Sequence, residues 1–448
     1  MALSLGQKAG WGLADMGVVV FVVVKQLLVF AYLTSVLDVP VGMAGAATTA
    51  VLVFDMITDP LIGYLSDRTK SRWGRRAPWM VVGAVVMSAG MYGLFSTPDG
   101  LLGVAALPWV LGFFVLATLG FTMVAIPYGA MAGEMTQDPK ERSAMTAWRM
   151  GFASVGILVG GALIPGIAAG SSYAQAALVA SPLIIGAIWL SVFATRRAPR
   201  IDIPSKVSPM RMLSLVLGNH AFVMLAVVYG VMTLAIALIT AGLPFAAIYL
   251  VADTGDTPLS GAANALTVLS LMFAAFTVGS ILSQAVWVVL SARLGKLGAL
   301  VLGLLLYIGL LFGLHAVLPS VNVTIVAGMF VLAGMTNGSY QQIPWAMYPD
   351  LMDVTRVQTG EAIEGAFSAV WLFGQKAANA FAPMILGVIL NFSGWVETSN
   401  GEKVAQTSEA VNALHAAVTL VPAGILGVSI ALLVILYRPL ARKQAHAT

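Results

Sequence analysis

Val41-Gly-Met-Ala-Gly-Ala-Ala-Thr-Thr-Ala-Val-Leu-Val-Phe-Asp55-Met-Ile-Thr-Asp59-Pro-Leu-Ile-Gly-Tyr64 is apolar enough for a lipid bilayer, yet it carries two aspartates four residues apart. At helical spacing, positions i and i+4 share a face, so both carboxylates point into the same space. A charged side chain at membrane depth costs about 3 kcal/mol on insertion scales. Two like charges on one face also repel unless a cation or a proton lies between them. A helix that keeps such a pair is expected to bind something positive, and the pair is the first sign of a cation-coupled transporter.

The rest of the chain agrees with a membrane setting. Of 448 residues, 59% are hydrophobic and 9% charged, with a mean hydropathy of +0.92. Soluble domains carry about 25% charged residues, so the composition defines a polytopic membrane protein. There is no cysteine, hence no disulfide framework and no thiolate metal site. His220, His315, His415 and His446 lack metal-ligand spacing. No metal is expected beyond a sodium ion at Asp55 and Asp59, and no cofactor. There is also no HExxH, no Gly-rich phosphate loop and no nucleophile–base pair, so an enzyme is not expected. The opening Met-Ala-Leu-Ser-Leu-Gly-Gln-Lys8 lacks the basic-then-apolar order of a cleaved signal, so the first apolar stretch is expected to stay as a span.

Runs of about 20 apolar residues give twelve candidate spans, at 12–36, 41–66, 79–97, 101–134, 144–170, 174–195, 220–250, 262–292, 298–318, 322–348, 361–391 and 411–437. The loop charges test the count. Nineteen of the 23 Lys and Arg residues fall on one side of this topology and one, Lys403, on the other, while Lys25, Arg149 and Lys376 lie within spans. That asymmetry places both termini and the central loop in the cytoplasm. It also accounts for the net charge of +4 without nucleic acid as a partner.

The longest basic connection, with Pro199, Pro204 and Pro209, divides the chain into residues 1–195, a cytoplasmic loop at 196–218, and residues 219–448. The two six-span halves echo each other. Ile126-Pro127-Tyr128 is followed by Glu134-Met135, and Ile343-Pro344-Trp345 by Asp350-Leu-Met352; Ser66-Asp67-Arg68 corresponds to Ser291-Ala292-Arg293. Paired six-helix repeats with mid-helix prolines suit alternating access around a site near the bilayer midplane.

Asp55 through Met80 reads Asp-Met-Ile-Thr-Asp-Pro-Leu-Ile-Gly-Tyr-Leu-Ser-Asp-Arg-Thr-Lys-Ser-Arg-Trp-Gly-Arg-Arg-Ala-Pro-Trp-Met. This closely resembles the signature of the glycoside-pentoside-hexuronide:cation symporter family, the melibiose-permease-like branch of the major facilitator superfamily. Further similarity lies at Ile126-Pro-Tyr-Gly-Ala, Asp138-Pro-Lys-Glu-Arg142, Ala147-Trp-Arg149 and Gly360-Glu-Ala-Ile-Glu364-Gly-Ala-Phe-Ser368, and it ends near Lys376. The resemblance implies an all-α membrane protein of twelve transmembrane helices in two six-helix pseudo-repeats. It also implies uptake of a sugar or glycoside coupled to sodium, lithium or protons, by a carrier expected to be a monomer in the bacterial inner (plasma) membrane.

By that resemblance Asp55, Asp59 and Thr122 form the cation site, and Arg149 and Lys376 lie near the solute. Asp15 looks like a common family aspartate of the first helix. Where the family's sugar-binding members carry polar or aromatic groups, this chain has Met16, Gly17, Leu52, Ala125 and Gly129. A carrier or exporter of a less polar or amphiphilic solute therefore stays open as the alternative, as does the choice of Na+ or H+. Asp15, Arg149, Lys376, Tyr128 and Trp345 are the candidates for solute contact or charge balance. Asp67, Arg68 and Arg72 belong to a loop that reads both as a conformational latch and as a positive-inside anchor. Glu361 and Glu364 read as a gate or as helix N-terminal acids. Lys25 reads as a snorkelling side chain or as part of a cavity wall.

Overall fold

The computed structural model describes residues 3–136, 138–199, 209–251, 255–319, 321–359, 364–397 and 404–445. Certain helical side chains inside these ranges, those of Asp67 and Glu364 among them, fall outside the description. The described residues hold eleven helical stretches long and apolar enough to cross a membrane. One of them, Val268–Val317, has 50 residues. At 1.5 Å per residue that is about 75 Å, far more than the ~30 Å hydrocarbon core. It breaks at Gly295, which adopts φ 75° and ψ 156°, a conformation open to glycine because it has no Cβ. Two membrane-length helices therefore meet there, and the twelve spans expected from the sequence are recovered.

In chain order the spans are α1 (Leu5–Ser35), α2 (Val41–Arg68), α3 (Ala77–Phe95), α4 (Leu107–Met135), α5 (Pro139–Leu158), α6 (Tyr173–Thr195), α7 (His220–Tyr249), α8 (268–294), α9 (296–317), α10 (Val323–Thr359), α11 (Glu364–Phe392) and α12, built of Ser408–Val418 and Leu420–Leu432 in succession. Several boundaries differ from the hydropathy reading, α10 most of all, since it runs to Thr359 where the reading stops at 348; two others have a local cause. α1 starts at Leu5 because Ser4 accepts from the Gln7 N–H while the Gln7 side chain accepts from the Ser4 N–H, a capping box that extends the helix beyond its apolar core. The eighth span starts at Val268 because Thr267, at φ 72°, separates it from the short helix Ser260–Leu266.

Contacts divide the chain into two units. Unit 1 comprises Met1–Pro204, Gly261–Ala274 and Trp395–Gln406, and unit 2 comprises Ser205–Ser260, Ala275–Gly394 and Thr407–Thr448. In unit 1 the helices close through small residues, which lets backbones approach where lipid leaves no hydrophobic drive between helices. A Cβ on Gly83 would lie 2.7 Å from the Met123 Cβ, and one on Gly90 or Gly120 would strike the backbone of Ala117 or Met87. α3 and α4 are thus zipped together. α1 and α5 cross in the same manner, since a Cβ on Gly12 would lie 2.7 Å from the Arg149 nitrogen and one on Gly156 2.7 Å from the Met16 carbonyl oxygen. Unit 2 packs around aromatic side chains instead, with Phe222, Phe367 and Trp371 almost fully buried and the Phe222 and Phe367 rings edge to face at 4.6 Å.

Outside the membrane, Glu141 ties the start of α5 to the N-terminus. It accepts from the Leu3 N–H and from Lys8 Nζ, each at 2.9 Å. The hydrogen bond from Lys8, aided by that from Leu3, holds the Glu141 carboxyl below its ordinary value of 4.5. A lowered carboxyl contributes stability above the unfolded value and loses it as pH falls through the folded one. Wild-type melting temperature is therefore expected to fall more steeply below pH 4.5 than that of Glu141→Gln, as measured by scanning fluorimetry in detergent; parallel curves would remove the Glu141 linkage.

Candidate functional site

Within unit 1, α2 and α4 bring the first set of predicted residues together. Asp55 is 2% exposed and Thr122 fully buried, and the Thr122 hydroxyl donates to Asp55 Oδ1 at 2.5 Å. Asp59, half-buried, sits one turn further along α2. Pro60, inside the helix, removes the N–H that would return to the Met56 carbonyl. α2 thus offers two carboxylates and a carbonyl relieved of its donor, and α4 adds the Thr122 hydroxyl. Hard cations without directional demands are bound by such oxygens. Among the described residues no group of three or more His, Cys, Asp or Glu could hold a metal ion.

Lys25, the cation that sequence alone left between two readings, has its ammonium 5.5 Å from the Phe21 ring centre and 5.1 Å from that of Phe121. Phe121 immediately precedes Thr122, so this α1 lysine is held by ring faces at the level of the α2–α4 contact. No sequence pattern announces that placement.

A second set gathers α1, α4 and α5. Arg149 Nε lies 3.1 Å from Asp15 Oδ2, with the Asp15 side chain 4% exposed and that of Arg149 36%. The guanidinium also stands 5.6 Å from the Tyr128 ring centre. Tyr128 stacks on Trp11 at 4.9 Å, and the Trp11 indole N–H donates to the Tyr128 carbonyl at 3.3 Å. The Tyr128 hydroxyl is buried and, among the described residues, has no hydrogen-bond partner. A carboxylate, a guanidinium and a phenol are thereby gathered beside one aromatic pair.

In unit 2, Trp345 donates its indole N–H to the Tyr229 hydroxyl at 3.0 Å, and Tyr229 stacks on Trp371 at 4.2 Å. Trp345, 36% exposed, is therefore the accessible rim of a packed aromatic cluster. Lys376 lies on α11, half-buried. Arg68 stacks over the Tyr64 ring of its own helix at 4.2 Å. Arg72 lines an open cavity at the end of the bundle. The Asp67 and Glu364 side chains and all of Glu361 lie outside the described residues.

The loop between α2 and α3 engages α4 through residues that the sequence reading did not single out. Arg75 and Arg76 share Glu134, at 2.8 and 2.9 Å, and Arg76 also donates to the Ser66 hydroxyl at 2.7 Å. In unit 2 the equivalent acid, Asp350, pairs with Lys296 at 2.6 Å. The repeat had already aligned Glu134 with Asp350, which was the available signal.

The membrane-length helices make this a multi-pass membrane protein, and the family and relatives it matches make it a transporter of the symporter kind, not an enzyme. The chain belongs to the family described as MFS/sugar transport protein, which matches residues 10–439. It is 25% identical to the putative glycoside/cation symporter YagG of Escherichia coli (strain K12), over 90% of this chain and 86% of that one. It is 26% identical to the glucuronide carrier protein homolog of the same organism, over 99% and 94%. Its fold is shared with a bacterial homolog of the human lysosomal transporter Spinster, solved inward-facing and unoccupied, at a TM-score of 0.61 and 16% identity over 99% of this chain and 97% of that one.

Proposed function

We propose that the protein carries out sodium-coupled symport of a small organic solute, of the sugar or glycoside class, across the bacterial inner membrane, as a monomer with both termini in the cytoplasm. The observation that carries the reading is the buried Thr122–Asp55 hydrogen bond with Asp59 one turn away. Asp55, Asp59 and Thr122 hold the cation. Asp15, Arg149 and Tyr128 receive solute hydroxyls, and Lys376 serves in solute contact or charge balance. Without a cation, the two α2 carboxylates repel and disfavour the closed carrier. With cation and solute bound, the net charge falls and alternating access proceeds. Residues 1–195 and 219–448 act as the two halves of that cycle. Relatives named as a glycoside/cation symporter and a glucuronide carrier support the solute class, and the arginine-rich loops support the orientation.

Replacing sodium with choline at fixed pH is expected to reduce net uptake of the transported glycoside into proteoliposomes by at least about tenfold; unchanged rates would assign the coupling to protons. The second reading, a less polar or amphiphilic solute, is favoured by Met16, Gly17, Leu52, Ala125 and Gly129. Competition of the same uptake by an alkyl glycoside, with none by the free sugar, would select it.

A further inference from the structure

The end of unit 1 that carries the α2–α3 loop holds an open cavity of about 660 Å³, formed by that loop, the ends of α4 and α6 and the start of the following segment. Arg72, Arg75, Arg76 and Arg196 line it against a single acid, Glu134. Glu134 is shared by Arg75 and Arg76, so one carboxylate meets two guanidinium groups there. The positive excess is increased by Arg72 and Arg196, both exposed. The Arg196 guanidinium sits over the Phe193 ring, 3.8 Å from its centre, a cation–π contact that holds it at the cavity.

The other wall is apolar and runs along α6, a helix of membrane length. Trp189 is 46% and Phe193 59% exposed. Trp189 is held in place by its indole N–H, which donates to the Val81 carbonyl of α3 at 3.1 Å. Trp73, half exposed, stands at the loop side. A ligand here meets guanidinium groups at one end and an exposed aromatic wall at the other. A soluble phosphate would satisfy the first and leave the second uncovered. A phospholipid satisfies both.

We propose that this cavity is a binding site for an anionic phospholipid, with the phosphodiester among Arg72, Arg75, Arg76 and Arg196 and the acyl chains along Trp189 and Phe193. Basic pockets between helix ends at a membrane surface are suited to such headgroups, and charge-assisted bonds from arginine to phosphate are the strong ones. The lipid would neutralise the excess guanidinium charge beside Glu134 and so strengthen the hold of the α2–α3 loop on α4.

Native mass spectrometry of the purified full chain in a neutral detergent, titrated with phosphatidylglycerol or phosphatidylcholine, tests this. Wild type is expected to retain phosphatidylglycerol at least about tenfold more tightly than phosphatidylcholine. Arg72→Gln/Arg196→Gln, at two exposed positions, is expected to reduce that preference by at least about tenfold, since each basic residue near a charged headgroup contributes to it. Arg196→Gln alone is expected to reduce it about threefold, which keeps the test decisive should the double variant misfold. Arg442→Gln/Lys443→Gln, in the terminal helix, is expected to leave it unchanged. Equal retention of the two lipids, unaltered affinity in Arg196→Gln, or an equal loss in the terminal-helix variant would overturn the site. Displacement of the lipid by millimolar inorganic phosphate would assign the cavity to soluble phosphate and overturn the lipid assignment.

Discussion

Asp55→Asn is expected to abolish accumulation of solute against its gradient while leaving the protein folded. Asparagine is isosteric, and its Oδ1 still accepts from Thr122, so the 2.5 Å α2–α4 contact survives. What is lost is the negative charge that makes this buried group a cation ligand. Removing one partner of a buried charge pair costs about 3 kcal/mol or more, which is on the order of a hundredfold in cation affinity. Asp59→Asn is expected to act in the same direction. Exchange of labelled for unlabelled solute, which needs no net cation movement, is expected to persist in both. Accumulation at wild-type rate in both variants under an imposed sodium gradient would end the cation-site assignment.

Arg149→Gln is expected to have the second largest effect, because the Asp15 side chain, 4% exposed, would lose the guanidinium beside it. An uncompensated carboxylate among apolar helices is costly, and the Tyr128 ring would lose its cation. Solute affinity is expected to fall by at least about thirtyfold, with a lower melting temperature. Gly12→Ala separates geometry from charge. Its Cβ would lie 2.7 Å from the Arg149 backbone nitrogen, and overpacking of that kind costs about 1–3 kcal/mol. It keeps both charges and moves α5 away from α1, so weakened solute binding is expected there too. Gly6→Ala, with nothing within 4 Å of the added carbon, is the control. Solute affinity unchanged in both Arg149→Gln and Gly12→Ala would show that the pair holds helices together and does not meet the solute.

The spans were legible because lipid demands long apolar runs and loop charges record orientation. The 50-residue stretch was read as two spans because its length and basic residues required a turn, and Gly295 supplies it. The acid pair on α2 was legible for a related reason: a carboxylate is conspicuous where almost everything else is hydrocarbon. Thr122 came from family resemblance, since a lone threonine in an apolar helix has no signal of its own. The pairing of Arg149 with Asp15 was not legible, because hydropathy fixes which residues are at membrane depth and leaves open which helices are neighbours. The stacking of Tyr128 on Trp11 and the perch of Lys25 over Phe121 were hidden for the same reason. Glu134 illustrates the reverse, with the repeat marking the position and only tertiary packing naming Arg75 and Arg76 as its partners.

The glycine contacts between α3 and α4 have a mechanical consequence. Backbones that meet at Gly83, Gly90 and Gly120 have no side-chain cushion to slide on, so the two helices form a single plank whatever the carrier does around them. Spin labels placed one on each would hold a constant separation through the transport cycle, and would give a built-in ruler against which every other distance change is calibrated. Because the chain has no cysteine, such labels attach where they are put, with no native thiol to remove first.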